Sequence, residues 1–258
     1  MTSPPRPGAA VRTLVGSALG IRRYRALQAQ AQAAIAASIP VNSAWWRARR
    51  RLPGDLLYVA LGDSAAQGLG ASAPERGYVG RLARRLGRRS QGTVRIVNLG
   101  ISGATTDLCV RDQLPRYARV KRVPDVVTLA IGANDIAAFD PERFERNLVA
   151  ILDVLPPTAI VADVPCFFLP GPERRVQAAN RIVHRLAAER GLTVAPLHEA
   201  TRREGLRGTL RNSAGDLFHP NDAGYRVWAS AFAPAVDDRL HALRAGRAPR
   251  PPRAEPPG

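Results

Sequence analysis

Short segments that are apolar on both faces, three of them running to a glycine, alternate with helical patterns and predict a three-layer α/β/α sandwich. Its sheet is expected to be mostly parallel and five-stranded, because strands covered on both faces lose the polar alternation of half-exposed ones. The strict alternation of strand and helix places the helices on the two faces of that sheet.

The first strand covers residues 55–61 and runs into Gly62. The second covers 93–98 and the third 124–131, ending near Gly100 and at Gly132. Residues 158–163 and 192–196 supply two shorter ones. Helical periodicity falls between them, at 77–89, 105–116, 141–155, 173–190 and 222–243. In open sheets of this class, sites form beyond the carboxyl ends of the strands. Three motifs lie at those ends: Gly62-Asp63-Ser64, Asn98-Leu99-Gly100-Ile101-Ser102-Gly103, and Gly132-Ala133-Asn134-Asp135. A fourth, Asp216-Leu217-Phe218-His219-Pro220, precedes the last helix.

Each block alone also suits an ordinary role: Ser64 a helix cap, Gly103 a turn, Asn134-Asp135 a capping loop, His219-Pro220 a turn. Jointly they carry the parts of acyl-transfer chemistry. A serine hydroxyl is a weak nucleophile and needs a base within hydrogen-bond reach. Of the four histidines, His184 lies in an arginine-rich helical stretch and reads as a surface residue. His198 follows the last strand, and His241 sits near the end of the terminal helix. His219 alone has an acid at a distinctive spacing, and on a tight turn Asp216 would lie beside it and fix its tautomer. The backbone N–H groups of Ser64 and Gly103 and the amide of Asn134 are candidate oxyanion donors. Asp63 and Asp135 read as loop-holding acceptors. The order Ser, Asp, His is that of α/β-hydrolases, but Gly62-Asp63-Ser64-Ala65-Ala66 is not their Gly-x-Ser-x-Gly elbow.

On these blocks the chain resembles the SGNH/GDSL hydrolases. The match covers residues 56–229, and the first block reads Leu61-Gly62-Asp63-Ser64-Ala65-Ala66-Gln67-Gly68, with alanine where the family usually has leucine. The resemblance implies a flavodoxin-like fold. It implies Ser64 as nucleophile, Gly103 and Asn134 in the oxyanion hole, Asp216 as acid and His219 as base. The expected activity is that of a serine esterase or lipase acting on a small-molecule or lipid ester. A carbohydrate O-deacetylase and a non-catalytic surface-associated binding module are the alternatives. Substrate selectivity is expected in the loops 65–77, 136–141 and 165–175.

Cys109 and Cys166 read as buried apolar residues, and no spacing pairs either with a histidine. No ligand cluster with metal spacing stands out, so neither metal nor other cofactor is expected. The net charge is +17, carried by 37 arginines and the single Lys121. With few aromatics and no zinc-finger or helix-turn-helix pattern, this charge does not read as nucleic-acid recognition.

The chain divides at 1–54, 55–245 and 246–258. The first segment holds nine arginines and no acid. A helix is expected over 12–39, with Val11, Leu14, Leu19, Ile21, Leu27 and Ile35 spread along it, followed by an Arg-rich linker. No apolar run approaches the ~18 residues of a spanning helix, and Gln28, Gln30 and Gln32 interrupt any signal-peptide core. Trp45-Trp46 beside Arg47, Arg49, Arg50 and Arg51 suits either peripheral contact with an anionic membrane or a helix packed on the domain. The expected location is cytoplasmic or peripheral to a membrane. The proline-rich ends, residues 1–8 and 246–258, are expected to be disordered.

Overall fold

The computed structural model describes residues 7–247, with side chains from residue 26 to residue 246. Of the ends expected to be disordered, residues 1–6 and 248–258 lie outside the described residues, whereas 7–8 and 246–247 belong to helices; the side chains of Val11, Leu14, Leu19 and Ile21 also lie outside the described residues.

Five strands form one sheet in the order β2-β1-β3-β4-β5: β1 Leu56–Gly62, β2 Val94–Asn98, β3 Val126–Ala130, β4 Ile160–Ala162 and β5 Thr193–Ala195. Every pairing is parallel, so "mostly parallel" understates the regularity. All seven residues of β1 are buried. Successive side chains point to opposite faces. Leu57, Val59 and Leu61 join one core, and Leu56, Tyr58 and Ala60 the other. Each large apolar side chain so buried stabilises the fold by about 1.5–3 kcal/mol.

The first core is closed by α6 (Pro141–Val154) and α7 (Pro170–Glu189) through Phe144, Leu148, Ile151, Val176 and Val183. Two short helices, α4 (Thr106–Leu108) and α5 (Leu114–Ala118), flank a π-turn at Cys109–Gln113 on the same side. The second core is closed by α3 (Tyr78–Ser90), α10 (Asp222–Arg247) and the end of α1 (Pro7–Arg49). There Tyr78 stacks on Phe232 with ring centroids 5.2 Å apart. Chain order reverses between β1 and β3, so the crevice of the sheet opens where Gly62 and Ala130 end their strands.

The amino-terminal segment departs from expectation. α1 does not stop at residue 39; it runs through Pro40 to Arg49, and Trp45 and Trp46 lie on it. A proline in a helix interior removes one backbone hydrogen bond. Tertiary contacts beyond it offset that loss: Trp46 and Asn42 are only 4% and 5% exposed, packed on the domain. Burial of Trp46 removes half of the tryptophan pair from any membrane interface, and the expected linker shrinks to residues 50–55. Among the described residues, no helix is long and apolar enough to cross a membrane.

Candidate active site

The nucleophile candidate sits at the first residue of a one-turn helix, α2 (Ser64–Gln67), directly after β1. Asp63 caps this turn, its Oδ1 accepting from Ala65 N at 2.9 Å. Gly62 takes φ +152°, and a Cβ there would stand 2.4 Å from the Ala130 carbonyl oxygen, so glycine is required for β1 to pass β3.

The four blocks converge. His219 Nε2 lies 2.9 Å from Ser64 Oγ, and His219 Nδ1 lies 2.6 Å from Asp216 Oδ2. The other oxygen of Asp216 accepts from the N–H groups of Phe218 and His219. Burial would raise the Asp216 pKa, but the hydrogen bonds from the imidazole and those two N–H groups outweigh it and hold the carboxyl below its usual range. The acid therefore stays charged and orients the ring. The turn includes Leu217 at φ +57°, a left-handed conformation unusual for a side chain of this size.

The oxyanion candidates are tied to one another. Asn134 Nδ2 donates to the carbonyl of Ala104 at 2.9 Å and to Asp63 Oδ2 at 3.3 Å. The residue after Gly103 and the residue before Ser64 are thus held by one amide. Gly103 adopts φ +75°, but a Cβ there would meet nothing within 4 Å. Its glycine answers this left-handed backbone conformation. Asp63 and Asp135 hold loops, as their positions suggested: Asp135 accepts from Thr106 N and Oγ1. Burial raises the Asp135 pKa. It pushes Asp63 up to about 7.

Three supporting residues carry no sequence signal that places them at the site. Gln113, fully buried in the π-turn, donates from Nε2 to the Gly62 carbonyl and accepts from Gly62 N, at 2.7 and 3.0 Å. A π-turn is a known marker of functional regions, but it is invisible to periodicity. Asn42 and Trp46 of α1 both donate to the carbonyl of Gln67.

A pocket of about 180 Å³ opens beside Ser64 and His219. Pro165, Cys166 and Phe167 line it, as the 165–175 loop was expected to. Of the loop 65–77 only Ala65 takes part, and of 136–141 nothing does. The remaining wall comes from α8 (Leu197–Arg203), α9 (Gly205–Asn212), the turn that follows α9, and α10. Sequence reading missed these because α8 and α9 reach the site only through the fold.

Two histidines elsewhere are paired. His184 is exposed, as expected, with Nε2 3.2 Å from Asp163. His198 lies 2.7 Å from Glu173 Oε1, and with Cys166 these form a cluster whose ligand atoms all fall within 4.8 Å. The expectation that no histidine accompanies a cysteine is thereby corrected: Cys166 and His198 are far apart in sequence and meet across β5. Sulfur, imidazole and carboxylate together are the donor set of a zinc-class ion. Here they serve one another: burial first, and the neighbouring Glu173, raise the Cys166 thiol pKa, while Glu173 also accepts from Phe167 N.

Known proteins share this architecture. The profile of the GDSL-like lipase/acylhydrolase family matches residues 60–227. The chain is 26% identical over 208 residues to the GDSL-like esterase Rv1075c of Mycobacterium tuberculosis, covering 75% of this chain and 66%, just under two thirds, of that protein. Among solved structures, LAE5, an alpha/beta hydrolase enzyme from the metagenome of Lake Arreo, superposes with a TM-score of 0.58 at 26% identity, over 72% of this chain and 97% of the other. Axe2, an acetylxylan esterase from Geobacillus stearothermophilus, shares the fold with a TM-score of 0.54 at 22% identity, over 72% and 96%. With its site assembled from the four blocks in order, this chain belongs to the GDSL-like lipase/acylhydrolase family, a family of ester-hydrolysing enzymes.

Proposed function

We propose that this protein is a metal-independent serine hydrolase that cleaves carboxylic esters through an acyl-enzyme. The observation that carries the reading is the unbroken chain of hydrogen bonds Ser64 Oγ, His219 Nε2, His219 Nδ1, Asp216 Oδ2, at 2.9 and 2.6 Å. Ser64 attacks the ester carbonyl as His219 takes its proton; Asp216 stabilises the imidazolium. The N–H groups of Ser64 and Gly103 and the amide of Asn134 receive the oxyanion. His219 returns the proton to the leaving alcohol, then activates the water that releases the acid. A non-catalytic binding module would have no need of this aligned set.

The apolar side of the pocket, with Phe167, Leu217 and Phe218, supports a small-molecule or lipid acyl group. The polar wall of Glu204, Thr209, Asn212 and Ser213 supports the second reading, a carbohydrate O-deacetylase. The nine arginines of residues 1–54 support peripheral contact with an anionic membrane, and nothing in the site calls for nucleic acid. A fluorophosphonate probe should label Ser64, and Ser64→Ala should abolish both labelling and turnover of a chromogenic short-chain ester. Labelling elsewhere, with turnover retained in that variant, would overturn the assignment. Acyl chains of increasing length, beside acetylated sugars, rank the two substrate classes.

A further inference from the structure

α1 lies outside the residues matched by the family profile, yet it reaches the site at two points. Near its carboxyl end, Asn42 Nδ2 and Trp46 Nε1 each donate to the carbonyl of Gln67 at 3.0 Å. Gln67 is the last residue of α2, whose first residue is Ser64. A carbonyl at a helix end has no partner within its own helix; here two buried donors from another element hold it. The Gln67 side chain continues the connection. Its Nε2 donates to the Gly100 carbonyl at 2.8 Å and to Ser43 Oγ at 3.4 Å. Gly100 opens the segment that leads to Gly103. Turning the Gln67 amide over would set its oxygen against that carbonyl, so its orientation is fixed even though Oε1 is buried without a partner.

Farther back along α1, Ala31 Cβ stands 3.2 Å from the place a Cβ on Gly215 would occupy. Gly215 immediately precedes Asp216. Eleven residues of helix separate Ala31 from Asn42, roughly 16 Å at 1.5 Å per residue. Residues 31, 35, 38, 42 and 46 are all partly or fully buried, at spacings that put them on one face of the helix. One continuous helix therefore approaches the acid-bearing turn at one point and the nucleophile-bearing turn at another.

We propose that α1 is a positioning element of the active site, with Asn42 and Trp46 as positioning residues that set Ser64 against His219 through the Gln67 carbonyl. The inference rests on Ser64 being the nucleophile. Misplacement of a nucleophile by about 1 Å can cost on the order of 100-fold in rate, so two hydrogen bonds at this carbonyl bear directly on turnover.

The test uses the full chain carrying Asn42→Ala, Trp46→Phe, the two together, and Val41→Ala, an exposed position on the same helix, as control. Steady-state kinetics on a short-chain ester, the rate of fluorophosphonate labelling and a melting curve are measured for each, with kinetics well below every melting temperature. Each single variant leaves one donor on the carbonyl and should keep kcat within about 3-fold. The double variant should lose about 10-fold or more in kcat, beyond the product of the singles, with KM within about 2-fold and labelling slowed in parallel. Val41→Ala should match the parent protein. Asn42→Asp, nearly isosteric, sets an oxygen against the carbonyl and should lower kcat about 10-fold alone; it carries the test if the double variant does not fold. Undiminished kcat in the folded double variant or in Asn42→Asp, with only the melting temperature lowered, would overturn the inference and make α1 a structural brace. A parent protein that neither turns over esters nor labels at Ser64 would overturn the nucleophile reading, and this inference with it.

Discussion

The two halves of the proposed catalytic arrangement are built in opposite ways. The turn that carries Asp216 and His219 holds itself: its carboxylate bonds Phe218 N, His219 N and the His219 ring, all within three residues. It is partly open to solvent, with Leu217 and Phe218 45% and 57% exposed. The nucleophile turn is buried and held from afar. Gln113 reaches Gly62 across 51 residues, Asn134 reaches Asp63 across 71, and Asn42 reaches Gln67 across 25. The proposed acid and base are thus oriented by local chemistry, whereas the proposed nucleophile is oriented by the closure of the whole domain. Damage distant in sequence should fall on the nucleophile side.

The largest effect that tests this difference belongs to Asn134→Ala. Loss of one oxyanion donor typically lowers kcat by about 10²–10³-fold. This substitution also releases the tie between Ala104 and Asp63, so the fall should lie in kcat with KM little changed. Near-normal kcat would reduce Asn134 to a loop residue.

A smaller effect separates the two halves directly. Gln113→Leu keeps the volume but removes the acceptor of Gly62 N and one of the two donors to its carbonyl, which Ile101 N also reaches at 3.1 Å; loss of the buried N–H partner costs about 1–3 kcal/mol. Melting temperature and kcat should both drop. Phe218→Ala, on the exposed turn and edge-on to His219 at 5.1 Å, should move stability by no more than about 0.5 kcal/mol and act mainly on KM. Equal destabilisation by the two would erase the contrast between a locally and a globally supported half.

A further effect is on pH dependence. Burial raises Asp63 from 3.8 to about 7 in the folded protein. The unfolded chain releases that proton near the lower value, so the folded state binds more protons between the two. The stability this contributes is fully present below about pH 4 and is lost as pH rises toward about 7. Asp63→Asn, which cannot titrate, should therefore flatten the melting temperature between about pH 5 and 7. An unchanged slope would mean that Asp63 is already ionised in the folded state.

Much of this was open to reading from the chain itself. Five apolar runs, three of them running to a glycine, specify a covered parallel sheet, because a strand buried on both faces cannot carry polar alternation. Asp216 and His219 are legible as a pair because three residues and one turn decide their geometry. Ser64, Gly103 and Asn134 are legible as candidates because each follows a strand end, and such ends converge. What tertiary structure alone decided is which distant groups complete these fragments. Gln113, Asn42 and Trp46 look like ordinary polar and aromatic residues until the sheet closes and gives each a backbone group to satisfy. Pro40 reads as a helix stop until packing beyond it outweighs one lost hydrogen bond. Cys166 and His198 share no motif and meet only because β4 and β5 lie side by side. Propensity and spacing act over a few residues, whereas burial and hydrogen-bond satisfaction depend on partners that only the folded chain brings within reach.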